Sequence, residues 1–240
     1  MDRLTRKELK SDKFAQEVGQ TVDFLTEHRQ QLIRYGSVAV VVALLIVGTY
    51  FYRQRQHRIR EAALAAAIEL QEANIGQPAN AFAPAFQTQE EKDKAVLKAF
   101  TDLAAKYPGT DEGAIAEYFL GVISADKGKM EDAQKHFQAA IDTASAGYAS
   151  QAKLALAQIY KDEGKTAEGE KLLKSIIDHP TSLVSKDQAT IALALLIAPT
   201  RPNDAEKLLE PLRTERSAIS RASVNALAQI AQERQQQQQK

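Results

Sequence analysis

Four histidines, His28, His57, His136 and His179, and the carboxylates Glu90, Glu91, Asp93, Asp111 and Glu112 are the side chains of this chain best suited to chemistry. Acid–base, nucleophilic or metal-assisted catalysis needs such groups to converge, and their spacing does not bring them together. One arrangement suggests a nucleophilic site: Asp178-His179 precedes Pro180, with Ser182 and Ser185 close behind. A histidine ending a helical stretch is more simply a solvated cation favoured by the helix dipole. Glu90, Glu91 and Asp93, and again Asp111 and Glu112, open helical stretches, where acidic side chains complement free N-terminal amides. Cysteine is absent, which removes disulfides, thiolate metal sites and thiol catalysis. No glycine-rich loop has the spacing that cradles phosphate. The expectation is a protein that is not an enzyme and has no catalytic, metal or cofactor-binding residues.

The elements that would position these groups are organised around residues 35–52, YGSVAVVVALLIVGTYFY, which carry no charge and are closed by Arg34 and Arg53. Eighteen residues at the α-helical rise reach about 27 Å, close to the ~30 Å hydrocarbon core of a bilayer. Tyr35 at one end and Tyr50, Phe51 and Tyr52 at the other place amphipathic rings at the two interfaces. The mixed-charge arm before this run and the bulky Tyr-Phe-Tyr after it fit a retained span better than a cleaved leader. A single transmembrane helix is therefore expected, with membrane lipid as a partner.

The 34-residue arm reads as an amphipathic helix, with Thr5 and Glu8 spaced as a capping box. Arg53, Arg55, Arg58 and Arg60 form a basic collar suited to snorkelling into headgroups. The helix carrying them should continue through residues 53–75. Residues 76–89, with Pro78 and Pro84, read as a loop whose Phe82 and Phe86 return to that helix. Residues 90–234 are helical in periodicity, and the glutamine-rich 235–240 reads as a disordered tail. Lys and Arg number 31, as do Asp and Glu, and the balance holds after the span, so no basic field calls for nucleic acid.

Within 90–234 the chain repeats itself. Leu120-Gly121 followed by Ala133, Phe137 and Ala140 corresponds to Leu156-Ala157 followed by Gly169, Leu173 and Ile176. The same pattern returns as Ala192-Leu193 followed by Ala205, Leu209 and Leu212, at intervals of 36 residues. A small residue where paired helices cross, then a small-to-large step on the second helix, resembles the tetratricopeptide repeat, with Gly121 expected to admit Ala133. Phe100 and Leu103 ahead of Tyr107-Pro108 look like half of a further repeat whose first helix is 60–75. The fold class expected is all-α: one transmembrane helix followed by a tetratricopeptide-like helical-hairpin solenoid.

Span and repeats together resemble the ancillary SecYEG translocon subunit family. The shared features are a charged arm, a span ending in aromatics and Arg, an Ala-rich helix from Arg60 to Leu70, Tyr107-Pro108-Gly109-Thr110, Tyr118-Phe119-Leu120-Gly121, and the stretch from Met130 to Phe137. The resemblance implies a bacterial inner-membrane protein with its arm in the cytosol and its repeats in the periplasm. It implies Sec translocon subunits, periplasmic chaperones or exported chains as partners. Charge counts alone leave the orientation open, because two Arg flank the span on its N-terminal side and four on its C-terminal side.

In such a solenoid, binding uses the concave face made by the first helices of successive hairpins. Tyr118, Val122, Gln151, Gln158 and Lys161 are the expected liners, a mixed surface suited to peptide. The function expected is a membrane-tethered interaction protein that handles newly exported polypeptides. The alternative is a membrane-bound scaffold for cell-envelope or division machinery.

Overall fold

The computed structural model describes residues 29–77, 84–213 and 218–238. It divides into two units, residues 1–59 and 60–240. Most of the expected amphipathic arm, including Thr5 and Glu8, lies outside the described residues.

In the first unit the described chain is the opening part of helix α1 (Arg29–Glu72). Its apolar side chains face outward on every side: Val38 is 58 % exposed, Leu44 and Leu45 each 65 %, and Phe51 62 %. Among the described residues α1 is the one helix long and apolar enough to cross a membrane. Ser37 and Thr49 donate their hydroxyls back to the carbonyls of Arg34 and Leu45, which pairs both of these donors within the helix itself.

In the second unit α1 ends at Glu72, three residues short of the expected end at 75. Two-residue strands β1 (Asn74–Ile75) and β2 (Ala85–Phe86) then pair in parallel, with Asn74 opposite Ala85 and Ile75 opposite Phe86. The segment expected to be a plain loop is thus pinned at both ends. Phe86 is half-buried on β2, and Phe82 lies outside the described residues.

Helix α2 (Gln89–Lys106) begins at Thr88, whose hydroxyl accepts from Glu91 N–H. Three antiparallel hairpins follow: α3 (Asp111–Asp126) with α4 (Met130–Thr143), α5 (Ala146–Asp162) with α6 (Thr166–Asp178), and α7 (Lys186–Ile197) with α8 (Pro202–Arg213). A last helix, α9 (Ala218–Gln238), packs on α7 and α8. The run from Gln235 onward, expected to be a disordered tail, therefore begins inside a helix. Glutamine is a good helix former and extends a helix already nucleated by packing.

All nine second-helix positions of the repeat are buried: Ala133, Phe137 and Ala140; Gly169, Leu173 and Ile176; Ala205, Leu209 and Leu212. Of the first-helix pairs, Leu120, Gly121, Leu156, Ala157 and Leu193 are buried and Ala192 is half-buried. The core is consequently a row of clusters, each shared between neighbouring helices. Ala63, Leu64, Ala67 and Ile68 of α1 pack with Val96, Phe100 and Leu103 of α2 and with Leu120 of α3. Burying a Phe or Leu side chain stabilises by about 1.5–3 kcal/mol, so each shared cluster couples its hairpins strongly.

Gly121 admits a different neighbour from the one expected. A Cβ placed there would stand 2.6 Å from both Cδ1 and Cε1 of Phe137, so the bare backbone receives that ring rather than Ala133. Long side chains on a helix lean towards its N-terminus, which carries the Phe137 ring back towards the Ala133 level.

Candidate functional site

The side chains that suggested chemistry are committed elsewhere. His179 is the exposed C-cap of α6. Ser185 caps α7 in a capping box: its hydroxyl accepts from Gln188 N–H at 3.1 Å, while the Gln188 carboxamide accepts from Ser185 N–H at 2.9 Å. Ser182 is exposed. His136 Nδ1 lies 2.6 Å from a Glu117 carboxylate oxygen, bridging α4 to α3. Among the described residues no three His, Asp or Glu side chains are grouped to hold a metal ion.

Glu112 is more than a charge at a helix start. It is buried in the first turn of α3, and Arg60 Nε donates to it at 2.9 Å across 52 residues of sequence. Arg60 therefore leaves the expected collar, while Arg53, Arg55 and Arg58 stay exposed. A carboxylate this buried requires such a partner, because an unpaired ion there costs several kcal/mol.

An open trough of about 650 Å³ is built from the first helices of successive repeats. Helix α3 contributes Tyr118; α5 contributes Gln151, Leu154, Ala155, Gln158 and Lys161; α7 contributes Gln188, Ile191, Ala192 and Leu195; α9 closes it with Ile219 and Ala222. Leu173 of α6 and Leu196 of α7, both buried, complete the lining. Four of the five expected liners, Tyr118, Gln151, Gln158 and Lys161, are thus brought together in one depression. Val122 is not among them. It packs in the cluster of Ala133, Phe137 and Leu156, one turn along α3 from Tyr118.

The wall at the α3 end is aromatic. Tyr118 stands among aromatic neighbours, with ring centroids 5.4 Å from Phe119, 5.6 Å from Tyr148 and 5.9 Å from Phe137. Phe119 in turn stacks on Phe100 at 4.7 Å. Burial, and then the neighbouring Tyr148, push the Tyr118 phenol above its ordinary pKa, so it remains a neutral donor. Gln151 Nε2 donates to Leu183 O at 3.3 Å, and Gln158 Nε2 to Asp162 at 3.1 Å. Below the trough Glu170 is bonded by Lys174 and by Arg201, which hold its carboxyl below the usual range and tie α6 to the turn before α8.

The apolar liners Leu154, Ile191, Leu195 and Ile219 were not anticipated. The 36-residue period carried the signal, since it takes Tyr118 to Leu154 and Ala155 to Ile191. Extending it once more places α9 in the position of a further first helix.

The tetratricopeptide repeat-like domain model matches residues 29–189, from the start of α1 into α7. Neither the curated proteins nor the solved structures gave a match to this chain. The match covers well over half of the chain, and helical hairpins at a constant interval with a small-to-large step on each second helix are what such a domain is built from. The chain belongs to the tetratricopeptide repeat-like domain family.

Proposed function

We propose that this chain is a membrane-tethered, non-enzymatic interaction protein whose trough takes up segments of polypeptide partners. The observation that carries the reading is the trough: a mainly apolar depression lined by the first helices of successive repeat units, with Tyr118, Gln151, Gln158, Lys161 and Gln188 as its polar side chains. Sites of this composition bind by burying apolar surface, with a few polar groups fixing orientation. The exposed apolar side chains of α1 over residues 33–52 support a bilayer as their surroundings, because a continuous apolar surface of this kind is unfavourable in water.

The finer reading is that the trough faces the periplasm and receives newly exported chains beside the Sec translocon. The resemblance in layout to the ancillary translocon subunits supports it. Long domains are also translocated with little regard to flanking charge. A tether near the channel raises the effective concentration of weak client segments without any new contact.

The test is a photo-crosslinking amino acid at Gln158 or Leu195 in intact cells, with a reporter fused after Lys240 that is active only when exported. The expected result is an active reporter and adducts with translocon subunits or chains in transit. Adducts confined to resident envelope or division proteins would favour the scaffold instead. A reporter silent outside the cytosol would overturn the periplasmic assignment.

A further inference from the structure

The polar and charged groups of the trough define its occupant more narrowly than a generic peptide. Its apolar floor runs along Leu154, Ile191 and Leu195, and Lys161 is the one ionisable group other than Tyr118 among its liners. Lys161 forms no ion pair among the described residues. Each of the two glutamines of α5 spends one amide hydrogen, on Leu183 O and on Asp162. An extended strand laid along Leu154, Ile191 and Leu195 would turn backbone N–H and C=O groups towards apolar side chains that cannot pair with them. A helix brings its backbone hydrogen bonds with it. The α5 wall from Gln151 to Lys161 spans about 15 Å, which matches roughly three turns.

Resting on the peptide-binding reading above, we infer that the trough takes one amphipathic helix, with apolar residues at i, i+3 or i+4 and i+7, and an acidic side chain at the Lys161 end. The carboxylate recognises the Lys161 ammonium at the C-terminal end of α5, which forms no ion pair among the described residues, while the apolar stripe packs on Leu154, Ile191 and Leu195. Helix-in-groove recognition of this kind reads its anchors at helical spacing.

The test uses the full chain in lipid nanodiscs and labelled peptides of about three turns that differ only at the terminal position: Glu, Gln or Lys. A fourth peptide carries the Glu and a central proline. Against the native chain the Glu peptide should bind about fivefold more tightly than the Gln peptide, with the Lys peptide weakest. Lys161→Glu should reverse that order, and Lys161→Gln should flatten it. The proline peptide should lose binding, because it cannot keep the helix. Equal affinity for the three terminal residues, or an order unchanged by Lys161→Glu, would overturn the charge assignment. Equal binding of the proline peptide would overturn the helical occupant. Either outcome leaves peptide binding in the trough intact, whereas no binding by any peptide removes that reading itself.

Discussion

The hairpins α3–α4 and α7–α8 occupy the same register 72 residues apart and fill their crossings in opposite ways. In the first, Gly121 exposes bare backbone to the ring of Phe137. In the last, the equivalent positions are Leu193 and Leu209, both buried in an aliphatic cluster. The middle hairpin stands between them, with Ala157 and Leu173. The repeat therefore preserves which positions meet, while the volume assigned to each partner drifts. Where one side is bare, the other must be large and of fixed shape. Where both are leucines, each can adjust to the other.

The sharpest way to break this comparison is to empty the crossing. Phe137→Ala removes a ring that lies on backbone and stands near Tyr118, so neither neighbour can move in to fill the space. A loss of about 3–5 kcal/mol is expected. Leu209→Ala, surrounded by flexible aliphatic side chains, should cost less, about 2–3 kcal/mol. Chemical denaturation of the full chain, followed by helical circular dichroism, measures both; equal losses would remove the distinction between a fixed and an adjustable crossing.

Filling the crossing instead should cost about 1–3 kcal/mol. In Gly121→Leu the first added carbon already collides with the Phe137 ring, and the rest of the side chain has no room beyond it. Combining Gly121→Ala with Phe137→Leu recreates the Ala157 and Leu173 pair. That double variant should be more stable than the sum of its single changes predicts, because the two residues share one contact. Additive losses would show that the hairpins are not interchangeable at this position.

Much of this architecture is legible in the sequence because burial on a helix is periodic. The nine second-helix positions follow from spacing alone, and so does the exposed apolar run of α1. Pairing across helices is less legible. Spacing assigned Gly121 to Ala133, one turn from its actual neighbour, because it does not record the direction in which the Phe137 side chain leans. Arg60 looked like one more member of a basic collar, since its partner Glu112 is 52 residues away and local composition says nothing of it. Val122 shares a stripe with Tyr118, and both pack half-buried on the cluster of Ala133, Phe137 and Leu156, so spacing does not tell which of the two also lines the trough. The trough's apolar floor was hidden for another reason: Leu154, Ile191 and Leu195 look like any core residues until α9 shows where packing stops.

The hairpin turns give the smallest and most local test of the comparison. In the first two hairpins the connectors are residues 127–129 and 163–165, and Gly128 and Gly164 adopt φ +72. The left-handed residue lets Lys129 N–H reach Ser124 O and Lys165 N–H reach Tyr160 O, closing each helix in the manner of a Schellman turn. The third connector, residues 198–201, is one residue longer. Its equivalent position, Thr200, has no positive φ and donates its hydroxyl to Ile197 O, and Pro202 starts α8 with its φ already set. Gly164→Ala should therefore cost about 1 kcal/mol, since a Cβ disfavours the left-handed region even though the space around it is open. Thr200→Gly gains nothing from the freedom it introduces and should lose about 0.5 kcal/mol through the unfolded state and the missing hydroxyl bond. A stabilised Thr200→Gly chain in the same denaturation experiment would mean that the third hairpin also needs the left-handed turn, and that its extra residue is no substitute for glycine.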